Sequence, residues 1–189
     1  MPSDRSPRPL PIIHDRRERK PAKLFEVEQL DLEFANGERR TYERLISRGL
    51  GGVVIVAMPD PEHVLLVREY ACGFHRYELC LPKGRLEAGE SAVQGANREL
   101  QEECGYAARN LLDLGPLSMA PGYMTHVTNV VLARDLYPSR LPGDEPEQLE
   151  VVPWSLDELA ELVQRDDCSE GRSIAALYMA RDLLARGLV

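Results

Sequence analysis

Three carboxylates stand close together on one short stretch of this chain, at Glu99, Glu102 and Glu103, shortly after a glycine-bearing segment, Gly84-Arg85-Leu86-Glu87-Ala88-Gly89-Glu90. At about 100° per residue in a helix the three side chains fall within roughly a 100° arc and converge on one point. Like charges at this spacing cost an isolated helix about 0.2–0.5 kcal/mol per pair. A hard divalent cation held against a phosphorylated ligand offsets that repulsion, and ligation by oxygen alone favours Mg²⁺ or Mn²⁺ over zinc.

A helix must carry the stripe. Ser91 with Gln94 three residues on reads as a capping box, and Gly105 supplies the left-handed residue that commonly ends a helix, so the helix is expected near 92–104. Val93, Ala96, Leu100 and Cys104 make an apolar stripe beside the acidic one, so one side packs into a core while its neighbour faces a cleft. Gly84 and Gly89 fit a loop that needs positive φ angles, and they also allow close approach to bound metal.

Gly84, Glu90, Arg98, Glu99, Leu100, Glu102, Glu103 and Gly105 together resemble the Nudix box, with Tyr106 departing from the small aliphatic residue usual at its end. Further stretches are similar to the ADP compounds hydrolase branch of that family, related to ADP-ribose pyrophosphatases. They are 24–37, Val67-Arg68-Glu69-Tyr70-Ala71, Leu117 to Tyr123, and Gly143-Asp144-Glu145-Pro146-Glu147. The similarity spans roughly residues 22–186. It implies an α/β fold, the Nudix α/β/α sandwich with a mixed sheet and an N-terminal β extension. It also implies metal-dependent hydrolysis of the diphosphate linkage in ADP-ribose, NADH or diadenosine polyphosphates.

The resemblance also implies roles. Glu99 and Glu103 are principal metal ligands, Glu102 assists, and the backbone carbonyl of Lys83 is a further ligand. Gly84, Glu90, Arg98 and Gly105 support the site, with Arg98 pairing a box carboxylate to orient it. Glu145 takes the position of the general base, and Glu147 that of an extra metal ligand. Where many relatives have an arginine after the tyrosine, this chain has Ala71, which removes one phosphate contact and leaves Arg68 to compensate. Glu78, Phe34, Arg39 and Arg40 are candidate adenine or ribose contacts, and His126 a candidate contact to the terminal ribose. A different Nudix specificity and a noncatalytic ADP-ribose-binding regulator are the rival readings.

The remaining elements must position these groups. Alternation over 24–34 and 38–46 around Asn36-Gly37 predicts a hairpin. Strands are expected at 51–58, 62–67, 111–118 and 126–134. A helix over 155–165 is expected from a Ser155/Glu158 capping box, and a last helix from Ser173 to Arg186 stopping at Gly187. The domains are then a flexible tail over 1–22, a hairpin and dimerisation extension over 23–50, and a hydrolase domain over 51–189.

Bulk properties agree. The 189 residues suffice for one domain with a sizeable core plus a small extension. A formal charge of −8 argues against nonspecific nucleic-acid binding, which needs a basic face. Cys72, Cys80, Cys104 and Cys168 lack paired metal-ligand spacing and suit a reducing cytoplasm. No run of about 20 apolar residues speaks for a membrane span, so the expected partners are a small-molecule substrate and a second copy of the chain.

Overall fold

The computed structural model describes residues 25–189, so the tail expected over 1–22 lies outside the described residues. β1 (Phe25–Glu33) and β2 (Arg39–Ser47) form the expected hairpin as a separate two-stranded sheet. Its turn is five residues long. Phe34 N–H donates to the Glu38 carbonyl at 2.9 Å, Gly37 N–H to the Phe34 carbonyl at 2.8 Å, and Gly37 takes φ +81°. The hairpin is tied to the rest of the chain at Leu45, whose N–H donates to the Tyr123 carbonyl at 2.7 Å and whose carbonyl accepts from Thr125 N–H at 3.0 Å.

The sandwich is built on β3 (Gly52–Ala57), an unbroken buried run whose residues alternate between two cores. Val54 and Val56 pack with Leu177 and Ala180 of α3 (Gly171–Ala185). Val53, Ile55 and Ala57 pack with Ala96 and Leu100 of α1 (Ala92–Glu103). One helix therefore covers each face, and truncating Leu100 to Ala would cost about 2–5 kcal/mol.

The strands pair as two sheets. One has the order β6-β3-β8-β7, with β6 at Lys83–Arg85, β7 at Tyr106–Ser118 and β8 at Val127–Pro138. Its β3–β8 pair is parallel and the others antiparallel, so it is mixed. The other has the order β5-β4-β9, with β4 at His63–Ala71, β5 at Arg76–Cys80 and β9 at Glu150–Ser155. Val64 and Leu66 of β4 join the α3-side core, while Leu65 and Val67 join the α1-side core, so both sheets lie in the same layer.

Helix α1 forms as expected. Ser91 Oγ accepts the Gln94 N–H, the Gln94 side chain accepts the Ser91 N–H, and Gly105 has φ +76°. The last helix starts two residues earlier than expected, because the Glu170 carboxylate caps the N–H groups of Arg172 and Ser173.

The helix expected over 155–165 is a correction. Residues Leu156–Glu158 form a 3₁₀ turn and only Leu159–Leu162 (α2) are α-helical. Ser155 Oγ accepts from Asp157 N–H, one residue too early for the capping box with Glu158. Leu156, Leu159 and Leu162 are buried in one core. Among the described residues no helix is long and apolar enough to cross a membrane.

Candidate active site

Arg98 is the hub of the acidic end of α1. Its Nε and Nη2 donate to the two oxygens of Glu90 at 2.8 and 3.1 Å, and Nη1 donates to Glu99 and to Glu102, both at 3.0 Å. Nη2 also reaches the Arg85 carbonyl at 2.8 Å, which ties the helix to the loop before it. The Glu90 carboxylate accepts the Glu87 N–H as well, at 2.9 Å. Hydrogen bonds from Arg98 hold the Glu90 carboxyl below its usual range despite some burial. The planar fork suits this work, since a lysine offers no bidentate geometry.

Glu103 turns to the other side. It is 5% exposed, and its Oε2 accepts the Lys83 N–H at 3.1 Å. Burial pushes its carboxyl well above the usual carboxylate range, against the pull of Lys83, and Glu69 and Glu99 raise it further. Burial likewise raises Glu99, against Arg98.

Gly84 explains how Glu99 fits. A Cβ at position 84 would overlap the Glu99 carboxylate, so only glycine lets the carboxylate lie against the β6 backbone. Gly84 thus serves close approach, whereas Gly89, at φ +87°, serves the turn.

The loop after β8 completes the cleft. Residues Arg140 to Glu147 lie against the Glu99, Glu102 and Glu103 face of α1. Gly143 approaches Glu102 closely, where an added Cβ would be 3.6 Å from the Glu102 Cβ. The root of this loop is fixed to the helix. Ser139 Oγ donates to Gln101 Oε1 at 2.8 Å, Leu141 N–H to the Gln101 carbonyl at 3.3 Å, and Arg140 Nη1 to the Glu102 carbonyl at 3.5 Å. Burial raises the Glu145 carboxyl, with Glu69 and Asp144 adding to the effect. Glu147 accepts from the Tyr77 hydroxyl at 2.6 Å.

Glu99, Glu102, Glu103, Glu145 and the Lys83 and Gly84 backbone thus share one cleft of about 800 Å³ with Glu69, Arg85, Asp144, His126 and Arg172. Among the described residues no three acidic, thiol or imidazole groups stand close enough to hold a metal ion as they are. The Arg98 guanidinium spans Glu99 and Glu102, while Glu103 faces β6. The donor set nonetheless fits a hard cation: it is oxygen only, and the buried Glu103 carboxylate accepts a single hydrogen bond among the described residues.

Other sequence candidates lie elsewhere. Arg68 pairs with Asp167 at 2.7 Å and with Glu150 at 3.4 Å, and does not line the cleft. Glu78 is buried under Arg76 and the Ser169 N–H and hydroxyl, which occupy its carboxylate. Phe34, Arg39 and Arg40 sit at the hairpin turn. Phe34 is 46% exposed against Tyr42, and the arginines pair with Glu33 and Glu38. His126 does line the cleft, its ring held by Ser47 Oγ at 3.2 Å and Thr128 Oγ1 at 3.3 Å.

Sequence reasoning missed Glu69, Asp144, Arg85, Arg172 and the side chain of Lys83. The Lys83 ammonium pairs with Glu69 and lies 3.1 Å from Cys80 Sγ. Burial alone would lower Lys83, but Cys80 and Glu69 raise it, while burial pushes the Cys80 thiol up to about 12. Charged Arg68-Glu69 ending the apolar run of β4 was the available signal for Glu69.

A family profile described as the NUDIX domain matches residues 50–176, and one described as the NudE-type Nudix hydrolase N-terminal domain matches residues 11–44. The chain is 47% identical over 163 residues to the ADP compounds hydrolase NudE of Escherichia coli (strain K12), covering 86% of this chain and 87% of that one. It is 28% identical over 157 residues to an ADP-ribose pyrophosphatase of Bacillus subtilis (strain 168), covering 82% and 84%. A crystal structure of an ADP compounds hydrolase superposes with a TM-score of 0.79 at 44% identity, covering 93% of this chain and 94% of that one.

Proposed function

Because this chain belongs to the Nudix hydrolase family, we propose that it hydrolyses the diphosphate linkage of ADP-containing compounds, giving AMP and a second phosphorylated product. Its substrates are of the ADP-ribose, NADH and diadenosine polyphosphate kind. The observation that carries this reading is the meeting of Glu99, Glu102 and Glu103 from α1 with Glu145 from the 140–147 loop in one cleft.

Glu99 and Glu103, with help from Glu102, the Lys83 carbonyl and Glu147, hold the divalent cation, Mg²⁺ or Mn²⁺. When bound, such an ion neutralises charge on phosphate oxygens and acidifies the attacking water. Arg98 fixes the directions of Glu99 and Glu102 through its shared Nη1. Glu145 accepts the proton of the attacking water at its carboxylate, and its partly buried position favours that task by raising its affinity for a proton.

Two further statements belong to this reading. The hairpin, largely exposed along β1, reaches a second copy of the chain and brings Phe34, Arg39 and Arg40 toward that copy's adenine site, making a homodimer with composite sites. The four free thiols suit a cytoplasmic location.

The test is incubation of the purified protein with Mg²⁺ and each of ADP-ribose, NADH and diadenosine triphosphate in oxygen-18 water. AMP is expected from each substrate that is cleaved, and the position of the label identifies the phosphorus attacked. Failure to cleave any member of the panel while cleaving nucleoside triphosphates would replace this specificity with another of the same family.

A further inference from the structure

The cleft has a second electrostatic pole, and nothing in the hydrolytic machinery accounts for it. Arg85 stands at the end of β6, His126 just before β8, and Arg172 in the first turn of α3, and all three line the same cavity as the acidic face of α1. This pole is built rather than incidental. Arg172 Nε is held by Glu170 Oε1 at 2.6 Å, and its Nη1 lies 3.4 Å from Thr128 Oγ1. Thr128 is fully buried and meets His126 Nε2, whose other ring nitrogen meets Ser47. Burial lowers the His126 imidazole, and Arg172 and Arg85 lower it further, so the two guanidiniums act on a common space.

Arg85 differs from most arginines of the chain. Its side chain is exposed, and among the described residues it has no carboxylate within ion-pair distance. Its backbone, by contrast, is fixed by Arg98. In a chain of net charge −8, an uncompensated guanidinium facing the reaction cleft is a ready site for an anion.

We propose that Arg85 and Arg172 form an anion-binding subsite for the phosphoryl group on the far side of the scissile bond, with the His126 ring, held at Thr128, as its wall. The idea rests on the diphosphate-cleaving reading above and sharpens it. A substrate held by its scissile phosphate at the acidic pole reaches the arginines with its next phosphate. A chain of two phosphates brings one phosphate to the arginines and a chain of three brings a second beyond it, so the longer chain gains more from the two guanidiniums.

The test pairs turnover with binding that needs no turnover. R85Q alters an exposed side chain and should fold with an unchanged Tm, and R172K, which keeps the charge beside Glu170, is the second variant. Inorganic tripolyphosphate is titrated calorimetrically into each protein in chelated buffer, and KM and kcat are measured for diadenosine triphosphate and ADP-ribose with Mg²⁺. For R85Q we expect tripolyphosphate binding to weaken roughly tenfold, the order a charge-assisted hydrogen bond supplies. KM for diadenosine triphosphate should rise by about as much, with a smaller rise for ADP-ribose and little change in kcat. R172K should weaken tripolyphosphate binding in the same direction.

Wild-type protein that binds no tripolyphosphate, or R85Q that binds it as wild type does, overturns the subsite. Failure of wild type to cleave any ADP compound overturns the proposed function instead. Tripolyphosphate binding weakened in R85Q would then still establish an anion site at Arg85, but not its place beside a scissile bond.

Discussion

The Glu99 carboxylate occupies the volume that any side chain at Gly84 would need. The backbone at Gly84 has no positive φ, so alanine fits its conformation and conflicts only with the carboxylate. Since that carboxylate ends a flexible side chain, Gly84→Ala displaces the Glu99 carboxylate more than it unfolds the chain. A small change in Tm is expected, with a clear rise in the Mg²⁺ concentration for half-maximal activity. A large fall in Tm with normal metal dependence would show that Gly84 matters for packing alone.

Glu103→Gln removes a charge and little volume, and the amide oxygen can still accept the Lys83 N–H. Folded protein is expected, with Tm held or raised because a buried charge is gone. Activity should fall by at least the roughly 10–100-fold that loss of even an outer-sphere metal partner costs. Chelation should abolish wild-type activity, and Mg²⁺ or Mn²⁺ should restore it. Near-normal turnover by the variant at saturating Mg²⁺ would remove Glu103 from the ligand set.

Glu145→Gln and Glu147→Gln should separate by rescue. Loss of the base reduces kcat by about 10²–10⁴-fold and leaves metal and substrate affinity nearly unchanged. Loss of a ligand at Glu147 raises the metal requirement and is partly recovered by excess Mg²⁺. Wild-type turnover in Glu145→Gln would move the base elsewhere, and Asp144 and Glu69 are its nearest acidic neighbours in the cleft.

Glu170 links pH to stability. Burial alone would raise its carboxyl, but Arg172 and Ser173 outweigh burial and hold it below the usual carboxylate range in the folded chain. A depressed folded value means the contribution is present above the unfolded value and is lost as pH falls through the folded one. Glu170→Gln should therefore cost about 1 kcal/mol at pH 7, the usual worth of a helix cap. The gap between the two proteins in thermal melts should shrink steadily below about pH 4.5. A gap that is constant down to pH 3 would refute the assignment.

The hairpin can be tested by truncation. Removal of residues 1–20 should leave activity intact, whereas removal of 1–46 deletes Leu45 and its two backbone bonds to the 123–125 segment. An inactive or aggregating chain is expected, and sedimentation should show the shorter truncation as a dimer. A fully active monomer lacking 1–46 would dispose of the composite site.

Helix α1 was readable because its determinants are local: Ser91, Gln94 and Gly105 act within a few residues of one another, and the acidic and apolar stripes follow one period. β5 and β6 were not, because five and three residues are too few to display a period, and their pairing is with β4 and β3. Ser155 and Glu158 suggested one helix over 155–165, but Ser155 Oγ accepts from Asp157 N–H and only Leu159–Leu162 are α-helical. Arg172 gave no local sign of facing the cleft, since α3 reaches it by packing next to β3 and β8, where its partner Thr128 lies 44 positions away in the chain. Arg68 read as a phosphate contact in place of the arginine missing at Ala71, and Glu78 as an adenine or ribose contact from its place before the box, yet long-range partners at Asp167 and Ser169 take up their charges.

The loop bearing Glu145 follows β8 but is anchored at its root on the helix bearing Glu99, Glu102 and Glu103, through the bonds of Ser139, Arg140 and Leu141 to Gln101 and Glu102. At its other end Leu149 is buried and Glu147 is held by Tyr77. Glu145 and the carboxylates of the helix therefore share one frame of reference, fixed at the loop's root. The reach of Glu145 is then set by the length of chain between these two clamps. Inserting or removing a residue between Pro142 and Pro146 would retune which atom of a bound diphosphate it meets, without disturbing the helix.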